Sequence, residues 1–212
     1  MKVVYLHGFA SSPKSTKVGY FTERFREHDI ELCAPDFNQP DFSTLTLTRM
    51  LGQLGAELAT GEAATLIGSS LGGTLAILAA VQYPSRVDRL VLMAPAVMFA
   101  KPGHHLLPPE RVDEWRRRGA LPFFHHADNA EHPLNVAFYE DSLRYDAFNA
   151  SFAQPTLIFQ GLRDASVDPR TVELFSQTRP NVTLALLDDD HQLIASLPRI
   201  WSDLRGFLEL SE

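Results

Sequence analysis

Hydrophobic and polar positions change their spacing repeatedly along the first ninety residues. Short apolar runs rich in β-branched residues predict buried strands, and apolar residues three or four positions apart predict helices with one buried face. The predicted strands cover residues 2–6, 30–34, 64–68 and 89–93, and the predicted helices between them cover residues 15–27, 44–59 and 71–82. Because apolar strands that alternate with helices form parallel sheets covered on both faces, the pattern predicts an α/β fold with three layers.

The alternation stops between residues 94 and 153 and then resumes. This stretch contains several prolines and no clear strand pattern, and its one helix-like segment covers residues 108–118. The elements that follow it are predicted strands at residues 156–160 and 182–187 and predicted helices at residues 169–177 and 193–210. We therefore expect a single domain over residues 1–212, in which residues 95–153 form a cap or lid inserted over the sheet.

Composition and charge narrow the class of protein. The chain has 212 residues, of which 45 % are hydrophobic and 21 % charged, as in globular domains with one large core. A net charge of −7 disfavours nucleic acid or an anionic membrane surface as a partner. No apolar run reaches about 18 residues, so no membrane span is expected. The single cysteine, Cys33, and the absence of a leader-like start favour a cytoplasmic location.

The motif Gly68-Ser69-Ser70-Leu71-Gly72 fits G-x-S-x-G and lies between a predicted strand and a predicted helix. A strand that turns sharply into a helix lifts one side chain out of the backbone at the edge of a sheet. Small residues on both sides let such a turn close, and the N–H groups at the start of the helix point toward whatever binds there. The motif therefore predicts Ser70 as a nucleophile.

A serine hydroxyl needs a base to take its proton, and that base needs an acid to orient it. Asp164 follows the predicted strand at residues 156–160, and His191 follows the one at residues 182–187. The order Ser70, Asp164, His191 is the order expected of the α/β-hydrolase arrangement. Asp168 is an alternative acid, but Asp168-Pro169 also fits the start of a helix, so we favour Asp164.

An oxyanion hole requires two backbone N–H groups that converge on the developing negative charge. We expect one from Leu71, directly after the nucleophile, and the other from Phe9, in the loop after the first strand. His7 in that loop is interpreted as a hydrogen-bonding brace rather than as a second base.

The segment Tyr5-Leu6-His7-Gly8-Phe9-Ala10-Ser11-Ser12-Pro13 carries a family resemblance. Together with Gly68 to Gly73, Asp164 and His191, it resembles the α/β-hydrolase superfamily, and more narrowly the small bacterial esterases that open with Y-L-H-G-F-x-S-S-P. Members usually have eight strands. Here the first strand begins at residue 2, so we expect a reduced, mostly parallel sheet of about six. The resemblance implies hydrolysis of an ester or thioester through an acyl-serine, without a metal or organic cofactor.

The inserted segment leaves two questions open. Its histidines and acidic residues could ligate zinc, but neighbouring histidines point to different sides and no H-E-x-x-H spacing occurs, so no metal is predicted. The residues concerned are His104, His105, His125, His126, Asp128, Glu131 and His132. Its aromatic residues could either fill the core of the cap or contact an acyl chain. They are Phe99, Trp115, Phe123, Phe124, Phe138 and Tyr139.

The sequence thus predicts a serine hydrolase that cleaves carboxylic esters of small or medium acyl substrates. Its only predicted partner is the small-molecule ester. An acyl thioesterase is the nearest alternative, and a non-catalytic module that binds a small molecule on the same fold is an alternative of another class. Hydrolysis of carbon–carbon or peptide bonds is less favoured, because the sequence reveals no charged specificity pocket. The sequence identifies no substrate-binding residue.

Overall fold

A computed structural model describes residues 1–101 and 107–211. The strands are β1 (Lys2–Leu6), β2 (Leu32–Cys33), β3 (Ala64–Ser69), β4 (Val87–Met93), β5 (Ala120–His125), β6 (Ala130–Asn135), β7 (Thr156–Gly161) and β8 (Val182–Leu187). The α-helices are α1 (Thr16–Arg26), α2 (Leu47–Leu58), α3 (Leu71–Gln82), α4 (Pro109–Arg118), α5 (Ala137–Ser142), α6 (Pro169–Gln177) and α7 (Leu197–Phe207). A 3₁₀ helix covers Phe42–Thr44. None of the helices within the described ranges is long and apolar enough to cross a lipid bilayer.

Six strands form one sheet in the order β2-β1-β3-β4-β7-β8, and all neighbouring pairs are parallel. The prediction of a mostly parallel sheet of about six strands is confirmed. The chain moves from β1 outward to β2 and then returns to place β3 on the other side of β1. In open parallel sheets, ligands bind beyond the carboxyl ends of the strands at such a reversal of strand order. The loop after β1 and the turn after β3 meet there.

The sheet is the middle of three layers. Alternate residues of β1 point to opposite faces, as the period of a strand requires. Val4 and Leu6 pack in a core with α2, α3, α6 and the inserted segment, whereas Val3 and Tyr5 pack in a second core with α1 and α7. The strands read as continuous apolar runs because both of their faces are buried.

The inserted segment contains an antiparallel hairpin that the sequence pattern did not predict. Strands β5 and β6 pair from Ala120–Asn135 to His125–Ala130, with Pro122 opposite Pro133. Proline donates no backbone hydrogen bond and normally argues against a strand, so the sequence of these two runs does not indicate one. Helix α4 agrees with its prediction: Pro109 lies in its first turn and Gly119 ends it with a left-handed φ of 75°.

Helix α7 begins at Leu197, later than the residue 193 predicted from apolar spacing. Leu193 has a positive φ of 54°, which is incompatible with a helix, although its side chain is buried. The predicted strand at residues 30–34 is likewise reduced to the two residues of β2. Both differences shorten elements at their ends, where periodicity alone is least informative.

Candidate active site

Ser70 lies at the point where β3 turns into α3. Its backbone has φ 53° and ψ −115°, a conformation that residues with a side chain rarely adopt. The Ser70 N–H donates to the Met93 carbonyl at 2.9 Å. The Ser70 carbonyl accepts from the N–H groups of Gly73 and Ala96 at 2.9 and 3.2 Å. These hydrogen bonds hold the strained turn, which presents the Ser70 side chain at the carboxyl edge of the sheet.

Two glycines let this turn pass close to other backbone. A Cβ atom at Gly72 would press into the carbonyl group of Leu6 at the end of β1. A Cβ atom at Gly68 would press into the carbonyl group of Gly72 itself. Because the opposing atoms are backbone, no side-chain movement could relieve either contact. The glycines of the motif are thus explained by the close approach of α3 to the sheet.

Ser70, His191 and Asp164 form one hydrogen-bonded chain. The Ser70 Oγ atom lies 3.2 Å from His191 Nε2, and His191 Nδ1 lies 2.8 Å from Asp164 Oδ2. An ionised carboxylate only accepts, so Nδ1 carries the ring proton and Nε2 offers its lone pair to the Ser70 hydroxyl. Ser70 and His191 are 121 positions apart in the sequence, and Asp164 and His191 are 27 positions apart. They meet because β3, β7 and β8 end at the same edge.

The Asp164 carboxylate is buried and surrounded by donors. Oδ2 accepts from His191 and from Gln160 Nε2 at 2.9 Å, and Oδ1 accepts from the N–H groups of Ser166 and Val167, both at 2.8 Å. Burial raises the pKa of Asp164, but the hydrogen bonds, led by that from His191, more than offset this effect. The pKa of Asp164 therefore lies below its usual range. The carboxylate stays ionised and is fixed in orientation.

Asp168, the alternative acid, has a different position. Its side chain accepts from the Arg170 N–H at 3.0 Å and caps the N-terminus of α6, with Pro169 in the first turn. It lines the same cavity as Ser70, but the carboxylate that touches His191 is that of Asp164. The structure thus brings Asp164 to the histidine and gives Asp168 the capping position that its sequence context indicated.

Phe9 and Leu71 line the same cavity as Ser70. Leu71 is the first residue of α3, where an N–H has no acceptor within its own helix. Within the described part of the chain, neither N–H donates a hydrogen bond. The loop after β1 approaches the turn closely, since a Cβ atom at Gly8 would lie 3.3 Å from the Ser69 carbonyl oxygen and 3.5 Å from Ser70 Cβ. Both N–H groups thus lack a hydrogen bond among the described residues and belong to residues that line the cavity beside Ser70.

His7 is buried and braces the loop after β1. Its Nδ1 donates to the Gly8 carbonyl at 2.9 Å, and its Nε2 accepts from the Phe37 N–H at 3.1 Å. Both ring nitrogens are therefore occupied by backbone groups. This agrees with its interpretation as a brace.

A cavity of about 680 Å³ opens beside Ser70, which is within the usual size of a small-molecule site. Its lining includes the apolar side chains of Phe9, Met98, Phe99 and Val167, together with polar residues of the β7–α6 loop. A smaller cavity of about 480 Å³ lies near the ends of α1 and α7, is lined mainly by charged side chains and contains none of the predicted site residues.

Most aromatic residues of the inserted segment fill its core, and one lines the cavity beside Ser70. The Phe9 ring contacts the rings of Phe42, Phe123 and Phe138, with centroids 5.8, 5.6 and 5.2 Å apart. Trp115 is fully buried and donates from Nε1 to the Leu134 carbonyl at 2.7 Å. These rings fill the core between the cap and the loop after β1. Among those predicted from sequence, Phe99 is the one that lines the cavity.

Lys17 was not identified from sequence. It is buried and donates from Nζ to the Gln192 carbonyl at 2.9 Å, which anchors the loop that carries His191 to α1. Burial lowers the pKa of Lys17 to about 8, although the negative charges of Asp190, Asp164 and Asp189 act in the opposite direction. From residue type alone, a lysine side chain is expected to be exposed to solvent. The only available signal was its place beside Val18 on the buried face of a predicted helix.

The structure is similar to those of known hydrolases. The structure superposes on Est1E from Butyrivibrio proteoclasticus with ferulic acid bound, with a TM-score of 0.83 and 20 % identity over 98 % of this chain and 88 % of that one. A putative hydrolase from Agrobacterium vitis S4 gives a TM-score of 0.82 and 23 % identity over 98 % and 86 %. Alpha/beta hydrolase domain-containing protein 10 from mouse gives 0.79 and 18 % over 98 % and 89 %. The chain therefore has the α/β-hydrolase fold, as predicted.

The family follows from the sequence. Residues 2–203 match the model of the Uncharacterised protein family (UPF0227), and the chain belongs to this family. A 2-hydroxy-6-oxononadienedioate/2-hydroxy-6-oxononatrienedioate hydrolase from Comamonas testosteroni is 31 % identical over 123 residues. That alignment covers 53 % of this chain and spans 40 % of the hydrolase.

Proposed function

We propose that this protein is a serine hydrolase that cleaves carboxylic esters of small or medium acyl groups through an acyl-serine. The observation that carries the proposal is the hydrogen-bonded chain from Ser70 through His191 to a buried, ionised Asp164. A nucleophile, a base and an orienting acid in this connection are what acyl transfer requires. The Comamonas relative, named as a hydrolase, and a fold neighbour named as a monoacylglycerol lipase from Paleococcus ferrophilus add support.

The reaction follows from the positions of these groups. Ser70 Oγ attacks the ester carbonyl carbon while His191 Nε2 takes the hydroxyl proton, and the carbonyl oxygen becomes negative. The N–H groups of Phe9 and Leu71 stabilise that oxygen. The C–O bond to the alcohol then breaks, and His191 passes the proton to the departing oxygen. A water molecule, deprotonated by His191, attacks the acyl-serine and releases the acid.

Removal of the Ser70 hydroxyl tests the proposal. We expect Ser70→Ala to reduce the hydrolysis of p-nitrophenyl acyl esters by about 10⁴-fold or more, because the nucleophile and every later step depend on that oxygen. A fluorophosphonate probe should label the wild-type chain at Ser70 and leave the variant unlabelled. Ser202→Ala, which removes an exposed hydroxyl on α7, is the matched control and should keep both properties.

Undiminished turnover by a folded Ser70→Ala variant would refute the serine mechanism. Folded wild-type protein that neither labels nor turns over any ester would favour the non-catalytic binding module instead. Rates for matched esters and thioesters of increasing acyl length then separate the esterase from the thioesterase. The dependence of these rates on acyl length also reports how deep the apolar part of the cavity is.

A further inference from the structure

The β5–β6 hairpin carries a cluster of potential metal ligands that the proposed ester hydrolysis does not use. His125 ends β5, Asp128 lies in the turn, and His132 lies in β6. One ligand atom from each side chain lies within 4.8 Å of the other two. We propose that these three residues bind a divalent transition metal ion of the zinc class.

The hairpin register explains why the three side chains converge. His132 pairs with Phe123 across the two strands, and Phe123 lies two residues before His125 on the same strand. Residues opposite each other and residues two apart share a face of a sheet, so His125 and His132 are diagonal neighbours on one face. Their ring centroids are 5.3 Å apart. The neighbouring His126 instead packs against Phe124, at a centroid distance of 5.2 Å.

The distances suit a shared cation. His125 Nδ1 and His132 Nε2 each lie 3.0 Å from the same atom, Asp128 Oδ2. Two ligand atoms bound about 2.1 Å from zinc at a tetrahedral angle are roughly 3.4 Å apart, close to this separation. An ion between the three groups would therefore need only small side-chain movements.

Buried imidazole nitrogens of the cluster also lack hydrogen-bond partners within residues 1–101 and 107–211, although two of them approach the Asp128 carboxylate. Both nitrogens of His125 and Nε2 of His132 are buried, and among the described residues none has a partner in hydrogen-bonding geometry, despite the short approach to Asp128. Buried polar atoms are nearly always paired, so nitrogens left in this state point to a ligand. The Phe42 ring covers both histidines, with centroids 4.9 Å from His125 and 6.4 Å from His132. It gives the cluster one apolar side.

The ligand types select the class of metal. Two imidazoles and one carboxylate favour zinc, cobalt, nickel or copper over magnesium and calcium, which prefer oxygen ligands. Water would complete the coordination on the exposed side of Asp128. A bound ion would hold the two strands of the hairpin together beside the turn. The His126 N–H donates to the Ala10 carbonyl at 2.9 Å, so the ion would also steady the loop that carries Phe9.

The test uses full-length protein without an affinity tag, freed of metal by a chelator and titrated with Zn²⁺ or Co²⁺. We expect one equivalent to bind, the Co²⁺ form to show visible ligand-field absorption, and Zn²⁺ to raise the melting temperature. His132→Ala and Asp128→Asn, which change partly exposed or exposed side chains, should each weaken binding at least tenfold. His126→Ala removes a histidine from the same turn and should bind as the wild type does.

Three results would overturn the proposal. In the first, the wild-type protein binds no stoichiometric ion. In the second, the His132→Ala and Asp128→Asn variants bind it with wild-type affinity. In the third, His126→Ala weakens binding as much as His132→Ala does. The outcome is independent of the ester chemistry, because Ser70→Ala should bind the ion with wild-type affinity. His104 and His105, the remaining histidines considered from sequence, lie outside the described residues, and Glu131 is not part of the cluster.

Discussion

Two aspartates four positions apart in one loop illustrate how neighbours of the same type are given different tasks. Asp164 is buried, accepts several hydrogen bonds and touches His191, whereas Asp168 accepts from a helix N-terminus. The difference arises from where each carboxylate points after β7, not from the residue type. Of the two, Asp164 is the one that touches the ring, and in the proposed mechanism it fixes the orientation that leaves His191 Nε2 free to act as the base.

Paired substitutions separate these tasks. Asp164→Asn keeps the shape of the side chain but lets it donate to Nδ1, which moves the ring proton to Nε2 and removes the base. We expect ester hydrolysis to fall by about 10³- to 10⁴-fold with little change in KM. Asp168→Asn keeps an acceptor for the cap, so we expect a loss of activity below about tenfold. Steady-state kinetics on one p-nitrophenyl ester distinguishes the two. An inactive Asp168→Asn with an active Asp164→Asn would reverse the assignment.

At the scale of elements, the loop that carries His191 is held from a distant helix. Lys17 on α1 reaches the Gln192 carbonyl, and its charge lies among Asp164, Asp189 and Asp190. An ammonium group in this position supplies a donor and a counter-charge, but it loses most of its hydration. Because the folded pKa of Lys17 is about 8 against 10.5 for a free lysine, desolvation outweighs the attraction.

Because the pKa of Lys17 differs between the folded and unfolded chain, its contribution to the free energy of unfolding depends on pH. Between pH 8 and 10.5 the unfolded chain holds the Lys17 proton more tightly than the folded chain does, so stability attributable to Lys17 rises with pH. Relative to Lys17→Met, we expect the wild type to gain roughly 3 kcal/mol of unfolding free energy across this window. Urea unfolding at a series of pH values measures it. Lys14→Met, at an exposed lysine three positions earlier, is the control and should show no such difference from the wild type. If unfolding free energy varied with pH in the same way for Lys17→Met and the wild type, the explanation would be wrong.

The same scale shows why some elements could be predicted and others could not. Apolar runs identified every strand of the main sheet, because strands buried on both faces carry an unmistakable pattern. The hairpin gave no such pattern: β5 and β6 bury few side chains and contain Pro122 and Pro133. With the hairpin unrecognised, the diagonal relation of His125 and His132 could not be seen, and the spacing of the histidines alone argued against a metal site.

For the whole molecule, the layout of the site follows from strand order. Reversal of the chain at β1 brings the loop after β1 beside the turn after β3, and the ends of β7 and β8 complete the edge. Sequence order and strand ends were sufficient to predict that Ser70, Asp164 and His191 would be neighbours. They could not predict Lys17 or Gln160, since a buried polar side chain is recognised only when its three-dimensional partners are known.

The cap and the central sheet differ in how they are supported. Every residue of β3 and β7 is buried, and each of these strands pairs with two others. The hairpin is a two-stranded sheet, and half or more of the side chains of β6 are exposed. Isolated hairpins of this kind are only marginally stable. Its anchors include the ring contacts of Phe123 with Phe9 and of His125 with Phe42, and the backbone hydrogen bond from His126 to Ala10. The hairpin is therefore expected to open without unfolding of the sheet.

Hydrogen exchange measures this difference directly. We expect amides of β3 and β7 to exchange only through global unfolding, and those of β5 and β6 to exchange at least about 100-fold faster, which corresponds to roughly 3 kcal/mol less opening free energy. Peptide-resolved mass spectrometry on the metal-free protein reports both sets in one experiment. Equal protection of hairpin and central strands would show that cap and sheet unfold as one cooperative unit. Slower exchange confined to the hairpin after Zn²⁺ addition would locate the effect of the ion at His125, Asp128 and His132.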